Sequence, residues 1–446
     1  MDRHSLLGHV FELHDLIRST RTPPDKVARD FFRSRHYLGA RDRRFIAETL
    51  YGMLRHQRLL LSLLDPAGDM CSSLNLAPQH RGVALYAAYA LRVVNEDAEQ
   101  VVSDIVGLPR RYKPGFDVPA FVDALLTSTL PPQVEGNAVH RIAVIHSFPD
   151  FVVEEWVRRF GTSRAEALCE ALNRPAPTTI RVNTLRTSVE ECREALKREG
   201  IEARQAELSP SGLLLEKRIN ALALESFRQG WFEVQDEASQ LIALLVRPKE
   251  GESVVDACAG GGGKTLHLAA LMNNAGSLLS VDIEDGRLRR IRERTGRAGV
   301  TIVRTCHAQR DASLLRGWEG RADRVLVDAP CTGLGTARRN PWLKLSLTET
   351  DVDRLAEAQR TILDRYARLV KPGGWLVYAT CTLLEKENEE AVERFLKTHT
   401  DFSLLSAPDL LRELGVPLTS SSSYLQLLPS ETQTDGFFAA ALLRST

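Results

Sequence analysis

Long apolar runs are missing from this chain. No stretch of its 446 residues approaches the roughly 18 consecutive apolar side chains that a membrane-spanning helix needs. The opening residues, Met1 to Leu6, lack the apolar core of a secretory signal, so the cytoplasm is the expected compartment. Paired cysteine spacing is missing too. Cys71, Cys169, Cys192, Cys258, Cys306, Cys331 and Cys381 stand singly, an odd set that argues against a disulfide framework and for reduced thiols. No CxxC or HxxxH pattern suggests a metal, and none is expected. There is no excess of charge: 58 Lys and Arg balance 58 Asp and Glu, so the net charge gives no reason to expect a polyanion partner. Internal repeats are absent as well. What remains is ordinary globular material, 43% hydrophobic and 26% charged, with length for about three domains.

Charge is clustered even though it sums to zero. Arg33, Arg35, Arg41, Arg43 and Arg44 crowd one segment, with Arg55 and Arg58 following. Arg287, Arg289, Arg290, Arg292, Arg294 and Arg297 crowd another, and Arg338 and Arg339 come soon after Cys331. Local basic patches can bind phosphates on a neutral protein. A mixed-charge solvated helix face is the competing reading, and Glu293 among the second group supports it.

Apolar residues recur at helical spacing in Leu6–Ile17, Phe45–Leu64, Val83–Val94 and Phe121–Leu130, so residues 1–130 read as an all-α domain. Pro131 to Asn137 is a breaker cluster and an expected linker. Residues 138–232 read as a small α+β unit. Helices are expected at Phe151–Phe160, Arg164–Leu172 and Val189–Glu199, and strands at Thr179–Asn183, Gly212–Leu215 and Trp231–Val234. Over 233–446 the pattern is strand, loop, helix, repeated, which predicts a parallel sheet with right-handed crossovers. Its strands fall at Ser253–Asp256, Ser277–Asp282, Thr301–Thr305, Arg324–Asp328 and Trp375–Ala379, with a late strand at Phe437–Leu443. Its helices fall at Thr265–Met272, Gly286–Arg297, Val352–Val370 and Lys386–His399.

Ligands of open α/β sheets bind at strand ends, and three strand ends here carry chemistry. The first opens into Asp256-Ala257-Cys258-Ala259-Gly260-Gly261-Gly262-Gly263-Lys264. A phosphate-binding P-loop needs a glycine where Cys258 stands, so an ATPase reading fails on spacing. A glycine loop still lets backbone approach a cofactor. Asp282 ends the second strand, where an acid suits a ribose hydroxyl pair; the alternative is a helix cap. The fourth strand ends in Asp328-Ala329-Pro330-Cys331 and the fifth in Ala379-Thr380-Cys381. Enzymes that methylate amino groups usually carry an Asp/Asn-Pro-Pro-aromatic quartet at the fourth strand. A thiol there suits a different task, adding to carbon 6 of a pyrimidine so that carbon 5 can attack a methyl donor. Either cysteine alone reads first as a buried structural thiol; two on adjacent strand ends reverse that reading. Asp328 is a candidate for hydrogen bonding to the cytosine edge.

On these residues the chain resembles the Sun family of RNA cytosine-5 methyltransferases, in the bacterial form with a NusB-like N-terminal domain. Tyr37 to Phe45 and Leu50 to Arg55 look like the NusB-like signature. His146 to Pro149, Ile180 to Asn183 and Val234 to Ser239 look like the connecting region, and Asp435 to Phe438 like the closing strand. The resemblance implies a Rossmann-like class I methyltransferase domain over 233–446, an all-α NusB-like RNA-binding domain over 1–130 and an RNA-recognition subdomain over 138–232. It implies Cys381 as nucleophile, Cys331 in proton removal or enzyme release, and S-adenosylmethionine held by Cys258, Ala259, Gly260, Gly261, Gly262, Gly263, Lys264, Asp282 and Asp328. It also implies an RNA partner, ribosomal in this form, met by Arg41, Arg44, Arg338 and Arg339; a monomer is expected. Two departures stand out. Gly260 and Gly261 replace the family's usual Ala-Pro, predicting a looser loop. His307 replaces an acid that receives the adenine amino group, and a neutral imidazole nitrogen would have to accept instead. Both departures also fit a rival reading, an RNA-binding scaffold that has lost its cofactor.

Overall fold

The computed structural model describes residues 1–20, 22, 24–64, 78–128 and 137–446. Cys71, residues 131–136 of the expected linker and the last two residues of the expected 121–130 helix lie outside the described residues. The chain forms two compact units, Met1–Asn173 with Arg339–Leu347, and Arg174–Arg338 with Thr348–Thr446. This differs from the three-part division expected from sequence. The helices Ala138–His146, Asp150–Phe160 and Thr162–Asn173 belong to the first unit. There the Leu59 amide donates to Ser147 Oγ at 3.1 Å and Arg58 pairs with Asp150 at 2.8 Å.

All regular structure described in the first unit is helical. Leu7, Val10, Phe11, Ile46, Leu50, Leu60, Val83 and Ile105 form its core. Asp2, Asp97, Asp117 and Asn137 each cap a helix by accepting a backbone amide, which satisfies donors that a helix start leaves open. The sequence pattern reads Phe45–Leu64 as one helix; the structure has two, Ala40–Arg55 and Gln57–Leu64. They part at His56, whose backbone leaves helical values at φ −109° and ψ 14°. Pattern also passed over the helices Pro24–Ser34 and Ala98–Val106.

The second unit holds two sheets. Strands β1 (Thr178–Val182), β2 (Ala203–Gln205), β3 (Gly212–Leu215) and β4 (Phe232–Val234) form an antiparallel sheet in the order β2-β3-β1-β4. Ile180, Val182, Leu213 and Phe232 turn one face of it onto Cys192 and Leu196 of the helix Val189–Arg198. The larger sheet uses β5 (Ser253–Ala257), β6 (Ser277–Asp282), β7 (Val303–His307), β8 (Ala322–Asp328), β9 (Val370–Thr380), β10 (Phe402–Leu405), β11 (Leu425–Leu427) and β12 (Phe437–Arg444). Its order is β10-β12-β9-β8-β5-β6-β7, with β11 paired to β12.

The five strands from β9 to β7 are parallel, as the alternation with helices requires. The expectation of an all-parallel sheet is corrected at the other edge, because β12 runs antiparallel to β9, β10 and β11. Short strands such as β10 and β11 carry too few residues to show a period. Both faces of the sheet are covered. Leu241 and Leu268 pack on one face with Val254 and Leu326, and Leu363 and Tyr366 on the other with Val255 and Val325. The nearly continuous apolar runs of the strands follow from that double burial.

Candidate active site

Because β5 to β9 run the same way, the residues after their C-terminal ends reach one edge of the sheet. The strand order reverses between β5 and β8, the position where doubly wound sheets leave a crevice. A cavity of about 370 Å³ opens there, lined by Cys258, Gly260, Asp282, Asp328, Cys331 and Cys381, with Arg287, Arg365, Pro330 and Tyr366 among the rest of the wall. That volume suits a cofactor-sized ligand.

The glycine loop is ordered by specific bonds. Cys258 and Gly260 have φ of +61° and +57°, and Gly262 has +82°. Glycine takes such angles freely; Cys258 takes one at a cost, as residues beside ligand sites often do. The Gly260 amide donates to Asp282 Oδ2 at 2.9 Å, and Arg294 Nη1 donates to the Gly261 carbonyl at 2.5 Å. Arg294 is itself paired with Glu233. These contacts hold a loop that two extra glycines would otherwise leave loose.

Asp282 accepts the Glu284 amide on its other oxygen, at 2.9 Å. It therefore shapes the turn into the helix Asp285–Ala298 and lines the cavity as well. Oδ1 keeps a second lone pair for a hydroxyl donor, while Arg287 Nη1 stands 3.6 Å from Oδ2.

Lys264 does not itself line the cavity but braces Asp328, which does. Its Nζ donates to Asp328 Oδ2 at 2.8 Å and lies 5.2 Å from the Phe437 ring centroid. Burial alone would lower the lysine pKa, but the Asp328 carboxylate overrides it and holds the ammonium charged. Ala259, Gly261, Gly262 and Gly263 likewise do not line the cavity. Ala308 lines the cavity; His307 does not. The His307 Nδ1 accepts the amides of Gln309 (3.3 Å) and Arg310 (3.2 Å), which leaves Nε2 as the protonated nitrogen. The expectation that a neutral His307 accepts from adenine is corrected accordingly: its acceptor is used inside its own loop.

The two cysteines meet. Register pairs Asp328 with Ala379, and the Ala329 amide donates to the Ala379 carbonyl at 2.9 Å. Three residues beyond Asp328 and two beyond Ala379, the sulfurs of Cys331 and Cys381 stand 3.5 Å apart. The Cys331 thiol is pushed well up by its hydrogen bond to Cys381, by burial and by the Glu387 carboxylate. Burial, then Asp328 and Asp282, also push the Cys258 thiol up. Gly335 makes the close approach possible. Its amide donates to the Cys381 carbonyl at 2.9 Å, and a Cβ there would stand 2.1 Å from the Gly436 oxygen.

The arginines separate into two kinds. Arg338, expected to meet phosphates, is buried: its Nε donates to Asp435 Oδ1 at 2.6 Å, and a second nitrogen lies 3.4 Å from Asp236 Oδ2. Adjacency to Cys331 in sequence did not reveal that the side chain points inward, where it ties the loop before β12 to the start of the helix Glu237–Val246. Arg294 and Arg297 both pair with Glu233. Arg41 and Arg44 are exposed on the helix Ala40–Arg55, Arg289, Arg290 and Arg292 are exposed on Asp285–Ala298, and Arg339 is half-buried. Sequence reasoning missed the buried cluster of Thr332, Gln359, Thr382 and Glu387 beneath the cysteines. Glu387 sits in the run Glu385-Lys386-Glu387-Asn388-Glu389-Glu390, which reads as a solvated face. Among the described residues no group of His, Cys, Asp or Glu is arranged to hold a metal, and no helix is long and apolar enough to cross a membrane.

Comparison with known proteins agrees with this architecture. Residues 243–443 match the family model for the 16S rRNA methyltransferase RsmB/F, and residues 148–221 match the ferredoxin-like domain of RsmF/B-like methyltransferases. The chain is 33% identical to the probable ribosomal RNA small subunit methyltransferase B of Bacillus subtilis (strain 168), over 91% of each chain. It is 30% identical to ribosomal RNA small subunit methyltransferase B of Vibrio vulnificus (strain YJ016), over 91% of this chain and 92% of that one. Among solved structures, PH0851 superposes with a TM-score of 0.75 at 28% identity over 99% of both chains. A methyltransferase homolog from Pyrococcus horikoshii superposes at 0.59 with 28% identity, over 69% of this chain and 99% of that one. A Rossmann-like domain with this strand order, joined to relatives matched over nine-tenths of their length, places the chain in the RsmB/F family of 16S rRNA methyltransferases.

Proposed function

We propose that this protein transfers a methyl group from S-adenosylmethionine to carbon 5 of a cytosine in small-subunit ribosomal RNA, through a covalent bond between Cys381 and the base. The observation that carries this reading is the 3.5 Å separation of two thiols at the wall of a cofactor-sized cavity. One thiol suffices for a nucleophile. A second beside it supplies a group that can take or hold a proton while the first is bonded.

The cavity fits the cofactor. Cys258 and Gly260 offer a backbone edge without bulk, and Asp282 offers carboxylate lone pairs for a ribose diol. When bound, S-adenosylmethionine supplies an electrophilic methyl group. Cys381 adds through sulfur to carbon 6 of the cytosine, which moves electron density to carbon 5. Asp328, held by Lys264, is oriented to accept from the exocyclic amine of the base. After methylation a base takes the carbon 5 proton, the electron pair of that C–H bond re-forms the 5,6 double bond and expels the Cys381 thiolate, and Cys331, a thiol, assists this proton removal or the release of the enzyme. Cytosine reaches a thiol at a cavity wall only when unstacked, so the target is single-stranded, looped or flipped.

On the same reading the helical domain over 1–130, NusB-like in kind, and the small antiparallel sheet β1–β4 with its helix Val189–Arg198 grip RNA backbone and shape, with Arg41, Arg44 and Arg339 among the contacts. Incubation with labelled S-adenosylmethionine and small-subunit RNA, followed by bisulfite mapping, tests the activity. Calorimetry with S-adenosylmethionine separates an enzyme from a scaffold that has lost its cofactor: absence of binding heat overturns the proposal.

A further inference from the structure

The two cysteine loops rest on a shared polar cluster. Glu387 is fully buried beneath them. Its Oε1 accepts from the Thr332 amide and from Gln359 Nε2, each at 2.9 Å, and its Oε2 accepts from Thr332 Oγ1 at 2.6 Å. Thr332 Oγ1 also pairs with Thr382 Oγ1 at 2.7 Å, and Gln359 Nε2 donates to the Pro330 carbonyl at 3.0 Å. Asn388 serves the other loop: its Nδ2 donates to the Thr382 carbonyl at 3.1 Å and its Oδ1 accepts from Thr380 Oγ1 at 2.5 Å. Pro330 and Thr332 flank Cys331, and Thr380 and Thr382 flank Cys381. One dipeptide, Glu387-Asn388, therefore anchors the neighbours of both sulfurs.

We propose that Glu387 is a positioning residue: it locks the loop carrying Cys331 to the loop carrying Cys381 and makes the two sulfurs chemically unequal, leaving Cys381 as the one that attacks. The inference rests on the cytosine-5 reading above and adds to it the group that ranks the thiols. Burial raises the Glu387 pKa, and the hydrogen bonds from Thr332 and Gln359 oppose that rise; with both carboxylate oxygens accepting, the bonding pattern is that of the ionised acid. Cys331 faces Cys381, this carboxylate and the Tyr378 phenol, whose hydroxyl donates to the Glu387 carbonyl at 2.7 Å. A negative sulfur there would stand beside a negative carboxylate. Cys381 instead has the Lys264 ammonium as its charged neighbour, and the sulfur and Asp328 both help to hold that ammonium charged. Burying an acid is costly unless its lone pairs are served, and an apolar residue would fill the space without that cost.

The test uses the full chain. Wild type, Glu387→Gln and Thr332→Val are treated with iodoacetamide over a pH series, and alkylation rates at Cys331 and Cys381 are read by peptide mass spectrometry, with methyl transfer measured in parallel. The expected result in Glu387→Gln is a fall of about tenfold in the Cys381-to-Cys331 rate ratio, with Cys331 reacting at lower pH than in wild type and kcat falling while KM for S-adenosylmethionine holds. Thr332→Val, which keeps the amide bond and removes only the hydroxyl, is expected to lower the ratio less, and it carries the test if Glu387→Gln does not fold. An unchanged ratio in the variants that fold overturns the proposal even if kcat drops, because a residue that merely supports the fold would slow turnover without re-ranking the sulfurs. If wild type methylates no RNA, the cytosine-5 reading fails, and the alkylation ratio still decides the role of Glu387.

Discussion

Lys264 Nζ donates a 2.8 Å hydrogen bond to Asp328 Oδ2, so a side chain from the glycine loop fixes the carboxylate at the end of β8. The bond joins the loop after β5 to the strand that leads to Cys331, across the point where the strand order reverses. Lys264→Met keeps the length of the side chain and removes the charge. It is expected to lower kcat/KM for methyl transfer by about 10- to 100-fold, or roughly 1.4–2.7 kcal/mol of transition-state stabilisation. Steady-state kinetics on RNA, with a melting curve to exclude unfolding, checks this.

The paired thiols predict opposite phenotypes. Cys381→Ala is expected to abolish methyl transfer and covalent complex formation. Cys331→Ala is expected to accumulate an RNA adduct that survives denaturing electrophoresis, because release is blocked after the sulfur–carbon bond forms. Turnover by Cys381→Ala at the wild-type rate ends the assignment.

Arg338 is a structural pin, and its variant separates stability from RNA binding. Arg338→Ala leaves the buried Asp435 and Asp236 carboxylates without this guanidinium, a change expected to cost about 3–5 kcal/mol and on the order of 10 °C in Tm. The salt dependence of RNA binding by the folded fraction is expected to match wild type, since no phosphate contact is lost. A lower salt slope with an unchanged Tm would contradict the buried placement.

Gly335 is the spacer between the loop of Cys381 and the start of β12. Gly335→Ala forces a Cβ to within 2.8 Å of the Cys381 carbonyl as well as onto the Gly436 oxygen. The cost is expected to be about 1–3 kcal/mol, with the Cys381 loop displaced. Activity is expected to fall more than stability does, as read from kcat alongside thermal melting.

Asp256 carries a pH signature. It is fully buried under the glycine loop, and its Oδ2 accepts from Thr265 Oγ1 at 2.5 Å. Burial raises its pKa to about 7; the Thr265 hydrogen bond opposes the rise. The ordinary aspartate value is near 3.8, so between these two values the folded protein binds more protons than the unfolded chain, and this group costs stability as pH rises. Asp256→Asn removes that term. Relative to wild type it is expected to gain stability from pH ~4 to ~7 with a slope of at most about 1.4 kcal/mol per pH unit. Parallel denaturant titrations of both proteins give the slope.

The chemistry-bearing strand ends were legible because they need only local information. Short apolar runs followed by Gly-rich, Asp-Ala-Pro-Cys and Thr-Cys segments mark where strands stop, and parallel strands deliver those segments to one edge. The helix break at His56 was not legible because apolar spacing runs through it, nor were β10 and β11, which are too short to show a period, nor the antiparallel edge, where β12 pairs with β9 more than 50 residues away. Direction was the commonest hidden quantity. Arg338 and Lys264 carry charge and sit beside site residues, yet both side chains are buried and turn to carboxylates.

By itself, then, the amino-acid order determined which residues stand at the strand ends and what reactions their side chains can undergo, because those follow from residue type and periodicity. Only the tertiary structure decided that two sulfurs 50 positions apart meet, that an acid within a charged run lies buried beneath them, and which cations face solvent. Distance and burial arise from how separate segments pack, and no local pattern encodes them.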